Sequence, residues 1–171
     1  MGRLTWLGTT GPILPVDINT ELRTHVTIRL GDRLVPCVYW QLSEPDFSLL
    51  EIGLEKETGL FRKLSVALYR GDFGRRSPRS PRQDQIGIPR FDVREWQPIP
   101  GSTAGDHQEM AGRIRLDEQS DGWWTIGLFD EPVVFEVSVP GLLTFGFSEQ
   151  RELCELSVNM AASHSILGHT R

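Results

Sequence analysis

Leu49-Leu50-Glu51-Ile52-Gly53-Leu54-Glu55-Lys56-Glu57-Thr58-Gly59-Leu60-Phe61-Arg62-Lys63-Leu64-Ser65-Val66-Ala67-Leu68-Tyr69 is the stretch that decides the fold class. Leu50, Ile52 and Leu54 alternate with Glu51, Gly53 and Glu55, the two-residue period of a strand with one buried face. Past the break, Arg62, Leu64, Val66 and Leu68 share one face, and Phe61, Lys63, Ser65, Ala67 and Tyr69 the other. Lys56-Glu57-Thr58-Gly59 between them has the polar composition of a type I turn, and Gly59 supplies the positive φ that a following bulge requires. The stretch predicts a β-hairpin.

Working outward, His25-Val26-Thr27-Ile28-Arg29-Leu30 alternates in the same way, Gly31-Asp32 turns, and residues 34–40 return. Pro36 lacks a backbone donor, so the returning strand is expected at an edge or with a bulge there. Residues 4–19 read as an extended entry segment broken by Gly8, Gly11, Pro12 and Pro15, and residues 41–48 as a loop. On the other side, residues 70–86 turn rich in Arg, Pro, Ser and Gly, with little to bury, and read as a long mobile loop. Residues 97–111 read as a second loop. Short apolar runs then follow at 112–116, 123–129, 133–139, 142–147 and 153–158, separated by turn residues. No segment sustains a 3.6-residue period, which leaves one helical turn near 91–96 and another within 159–167. The expectation is a mainly β fold, an antiparallel meander, sandwich or partly open barrel, with residues 159–171 a fraying tail.

A chain of 171 residues fits a single β-rich domain. Its net charge of −5 argues against direct nucleic-acid binding, which needs clustered Lys and Arg; a basic partner suits it better. Five arginines between 70 and 82 would make an anionic-ligand arm, but no aromatic platform is interleaved with them, so a solvated insertion is the plainer reading. Cys37 and Cys154 are too few and too far apart for a disulfide framework and form no CxxC pair. No apolar run reaches the ~18 residues of a membrane helix. Met1-Gly2-Arg3-Leu4-Thr5-Trp6 lacks the basic head and apolar middle of a secretion signal, so a cytoplasmic location without membrane contact is expected.

His25, His107, His164 and His169 show no metal-ligand spacing, and no glycine loop cradles a phosphate, so neither metal nor cofactor is expected. Histidine can still meet serine or cysteine in space, but no nucleophile elbow marks such a pair. The carboxylates are more pointed: Asp117, Glu118 and Asp121 in one turn, Asp130 and Glu131 in a second, Glu149 and Glu152 around the last hairpin, with Glu155 just beyond. In turns, water keeps such groups ordinary; together they make an acidic rim that would steer a basic partner. Of the adjacent Trp123 and Trp124, a strand sends one to the core and leaves the other as packing or as an interface anchor.

Three stretches carry a resemblance: the hairpin from Leu50 to Val66, then Gly87-Ile88-Pro89-Arg90-Phe91-Asp92-Val93-Arg94-Glu95-Trp96, then Leu143-Thr144-Phe145-Gly146-Phe147-Ser148-Glu149-Gln150-Arg151-Glu152-Leu153-Cys154. Over residues 48–158 the chain resembles small bacterial immunity proteins encoded beside polymorphic or contact-dependent toxins. The shared residues look structural rather than catalytic. The arginine-rich stretch is an insertion relative to that group, and the acidic C-terminal helix expected of it is missing. The resemblance implies an antitoxin, not an enzyme: stoichiometric binding to a cognate toxin domain, basic and encoded by the adjacent gene. Asp117, Glu118, Asp121, Trp123, Asp130, Glu131, Glu149 and Glu152 are the candidate partner-binding residues. Composition alone also leaves open a small β-barrel with an apolar ligand, or a hydrolase with carboxylates on its rim.

Overall fold

The alternation read from the sequence becomes pleat: along His25–Leu30 and Cys37–Ser43, half-buried and buried residues alternate without a break. The computed structural model describes residues 3–11, 15–21, 25–44, 48–68, 74–76, 85–96 and 107–161. In chain order the first strands are β1 (Trp6–Thr10), β2 (Val16–Glu21), β3 (His25–Leu30), β4 (Cys37–Ser43), β5 (Ser48–Glu55) and β6 (Phe61–Leu68). Then come β7 (Gly74–Arg76), β8 (Gln85–Ile86), β9 (Ile88–Phe91), a 3-10 turn (Arg94–Trp96) and β10 (His107–Ala111). The last five are β11 (Arg115–Gln119), β12 (Trp123–Gly127), β13 (Phe135–Val139), β14 (Leu143–Phe147) and β15 (Leu153–Asn159).

Six strands form one sheet in the order β10-β4-β5-β6-β3-β2, and seven form another, β7-β11-β12-β15-β14-β13-β8. β1 and β9 pair separately. Most neighbours are antiparallel; β10, β7 and β8 join their sheets in parallel. The inner faces share one apolar cluster, in which Leu50, Ile52 and Leu64 of the first sheet meet Val137, Phe145 and Leu156 of the second. The sheets do not close, so this is a mainly β sandwich.

The deciding hairpin is β5–β6. Gly59 N–H donates to Glu55 O and Glu55 N–H to Leu60 O, both at 2.8 Å, and Gly59 has φ +70°. Gly53 pairs with Lys63 but Leu54 with Phe61, so Arg62 is the extra residue of a bulge. The bulge corrects the face assignment. Phe61 joins Leu64 and Val66 in the core, while Arg62 stays half-buried.

All three quoted stretches converge on the seam between the sheets. Leu60 bridges to Arg90, Phe91 N–H donates to Gly59 O at 2.9 Å, and Arg90 Nε donates to Thr58 O at 3.2 Å. Phe61 lies edge-on to Phe145 with centroids 4.9 Å apart, and Phe91 lies 6.0 Å from Phe147. These residues are scaffold.

Four other expectations are corrected. Pro36 precedes β4 rather than interrupting it, and β4 is interior because β10 covers its far side. β10 lies within the stretch read as loop. Gly74–Arg76 and Gln85–Ile86, inside the supposed arginine loop, are strands at the two edges of the seven-stranded sheet; its remaining residues lie outside the described ones. Asp117 and Glu118 belong to β11, not to the turn that follows it. The tail is described to Ala161, with Met160 N–H held by Gly122 O at 3.0 Å; residues 162–171 lie outside the described ones. Among the described residues no helix is long and apolar enough to cross a membrane.

Candidate partner-binding surface

The candidate residues separate into two groups at opposite ends of β12. At its start stand Asp117, Glu118, Asp121 and Trp123. Asp117 pairs in register with Thr125 and Glu118 with Trp124. Asp121 Oδ1 accepts the Trp123 N–H at 3.3 Å, closing the turn. Trp124 packs against the core, and Trp123 stays half-buried outside it. No described residue forms an ion pair with Asp117 or Glu118. Beside them runs β7, placing Gly74, Arg75 and Arg76 opposite Asp117, Glu118 and Gln119.

At the other end, Asp130 pairs with Arg115 at 2.5 Å, with both side chains largely in water, where such a contact adds little. Glu131 and Glu152 are not a free rim. Both accept from Arg3 Nη1, Glu152 at 2.8 Å, and the guanidinium stands 4.2 Å from the Phe129 ring centroid. The bond to Glu131 is the largest cause of a raised Arg3 pKa; burial opposes it, and the bond to Glu152 adds to it. The opening segment is sewn to the last hairpin as well, with Trp6 N–H donating to Arg151 O at 2.8 Å and Leu153 N–H to Leu4 O at 2.9 Å. Glu149 is exposed at that hairpin. Replacing Arg3 with Ala leaves two half-buried carboxylates facing one another, so Arg3→Ala is expected to cost about 1–2 kcal/mol in urea unfolding. Arg3→Lys, which keeps the charge, recovers part of that loss.

A third polar region was not singled out by sequence. On the outer face of the six-stranded sheet, Lys63 Nζ donates to Glu51 Oε1 at 2.7 Å and Gln41 Nε2 to Glu51 Oε2 at 2.8 Å. Tyr39 stacks on His107 at 5.1 Å and lies over Gly53, where a Cβ would stand 3.1 Å from the Tyr39 ring and 3.0 Å from Lys63 Cβ. Burial alone would raise the Glu51 pKa, but the bonds from Lys63 and Gln41 outweigh it and hold the carboxyl below its usual range. Asp92 is held at about 2, chiefly by the Arg94 side chain and then by the Arg94 N–H. Both groups have folded pKa values below the unfolded ones. Their stabilisation is present above about pH 4 and is lost as pH falls through the folded values. Urea midpoints at pH 5 and pH 3 are expected to converge in Glu51→Gln and Asp92→Asn relative to the parent.

The structure also brings His25 and Ser65 together, with Nε2 3.2 Å from Oγ and the Thr27 hydroxyl 3.2 Å from Ser65 Oγ. Ser65 lies on a central strand paired with Thr27 on one side and Glu51 on the other. Its neighbouring N–H groups serve the ladder, which leaves none aimed at an oxyanion beside Oγ. The trio is a cross-strand polar ladder. Among the described residues no group of three or more His, Cys, Asp or Glu could hold a metal ion. Compared with known proteins, the chain matches no family model and no curated sequence.

Proposed function

We propose that this chain is an immunity-type protein, which binds a cognate bacterial toxin domain one to one and neutralises it. The observation that carries the reading is the β11–β12 hairpin: Asp117 and Glu118 without a described ion partner, Asp121 at its tip and half-buried Trp123 beside them. Trp123 shares its face of the hairpin with Asp117, and Asp121 closes the turn next to it. A half-buried aromatic with carboxylates near it is a surface for a basic protein face, and complementary charge speeds the encounter. The placement of the three resembling stretches supports the same reading, because they build the seam and leave the outward groups to set the partner. The partner is a basic toxin domain encoded by the adjacent gene and met in the cytoplasm.

Co-expression with the adjacent gene's product, followed by native mass spectrometry, tests the proposal. A one-to-one complex is expected, weakened at least ~10-fold by Asp117→Lys with Glu118→Lys, a loss in the range of charged hot-spot contacts. No complex at micromolar concentrations would sink it.

A further inference from the structure

β11 is bounded on one side by β12 and on the other by three residues of the arginine-rich stretch. An acidic strand would otherwise present its open edge there, with unpaired N–H and C=O groups beside Asp117 and Glu118. What lies on that edge is Gly74-Arg75-Arg76, parallel to β11, with Arg75 in register with Glu118. The cap is short, and it begins with glycine, the residue that loses most entropy when held extended. It is therefore among the least costly pairings in the fold to exchange.

We infer that the β11 edge is a strand-docking site for an extended basic segment of the partner, and that Gly74–Arg76 is its resident occupant in the free protein. The inference rests on the acidic hairpin being the partner face proposed above. Charge selects the occupant. A second copy of this chain docking through the same edge would set Asp117 and Glu118 against carboxylates, whereas a segment with Arg or Lys opposite Glu118 keeps a basic residue at the register position that Arg75 holds. Main-chain hydrogen bonds supply affinity, and the residue opposite Glu118 supplies specificity. The covalently tethered cap competes at millimolar effective concentration, so binding in trans requires its displacement.

The test needs no toxin. A fluorescein-labelled peptide of residues 72–78, Asp-Phe-Gly-Arg-Arg-Ser-Pro, is titrated into the full chain by anisotropy. Parent is compared with Arg75→Pro plus Arg76→Pro. Successive strand residues aim their N–H groups to opposite sides, so this pair must remove the donor facing β11. The proline variant should bind the peptide at least ~10-fold more tightly than the parent, given the tethered competitor it loses. Adding Glu118→Lys should abolish the gain. Equal binding to parent and variant, or binding indifferent to Glu118→Lys, would overturn the inference. Arg75→Glu plus Arg76→Glu, which weakens the cap by charge alone, gives the same comparison if the prolines unfold the chain. Peptide binding without a toxin complex would fail the proposed function alone, and a toxin complex without this peptide behaviour would fail the docking site alone.

Discussion

Gly59→Ala is expected to destabilise the protein by more than about 3 kcal/mol, enough to lower the thermal midpoint by on the order of 10 °C. Two costs coincide at this residue. Its φ of +70° is a left-handed conformation that an L side chain adopts at a penalty of ~1–2 kcal/mol. A Cβ there would also fall onto the carbonyl oxygen of Phe91, which is backbone and has no rotamer to yield with. The turn must then lift off β9, giving up the bond from Phe91 N–H to Gly59 O and the Arg90 bond to Thr58 O. Gly141 is the internal control. It has the same φ of +70°, yet nothing lies within 4 Å of the added Cβ, so Gly141→Ala is expected to cost only ~1 kcal/mol. The difference between the two variants isolates the clash. Gly59→Asn separates the terms again, because Asn tolerates left-handed φ but still carries a Cβ. Equal losses for Gly59→Ala and Gly141→Ala would mean that the turn does not dock on β9.

That docking explains how far the sequence could be read. The β5–β6 hairpin was legible because a buried face, a polar tetrad and a glycine all signal locally, within some twenty residues. β10 was not. His107-Gln108-Glu109-Met110-Ala111 offers a single large apolar residue, and it becomes a strand through its parallel pairing with β4 rather than through a pattern of its own. β7 and β8 are shorter still, and their composition is that of a solvated loop; only the open edges they cover make them strands. The bulge at Arg62 shifts the alternation by one residue, so simple period-two reading put Phe61 on the wrong face. The acidic rim was half legible. Asp117, Glu118 and Asp121 cluster in sequence and in space, whereas Glu131 and Glu152 are neutralised by an arginine 128 and 149 residues away, a separation no local pattern announces.

Phe145→Ala is the second large effect, an expected loss of about 3–5 kcal/mol in urea or thermal unfolding, the range for a buried phenylalanine. Phe145 is fully buried, edge-on to Phe61 at 4.9 Å and 6.3 Å from Phe91, so it touches both other resembling stretches from the opposite sheet. Side-chain transfer and cavity terms make most of the loss; the aromatic geometry adds a part that a double-mutant cycle reads directly. Combining Phe145→Leu with Phe61→Leu keeps volume nearly constant and removes the edge-to-face contact, so a coupling of about 0.5–1.5 kcal/mol is expected. The same cycle between Phe145 and Val26, which lies in β3 and has no ring to offer, should give a smaller value. A loss below ~1 kcal/mol for Phe145→Ala would mean that the two sheets do not share one interior, since no other reading lets a fully buried ring at that seam be removed so cheaply. Binding to the proposed partner gives the complementary readout. If the seam is scaffold, Phe145→Leu should leave affinity within ~2-fold of the parent at temperatures where it stays folded, while Asp117→Lys with Glu118→Lys should cut affinity and leave the midpoint nearly unmoved. Opposite behaviour of those two variants in the two assays is what assigns the three resembling stretches to architecture and the acidic hairpin to recognition.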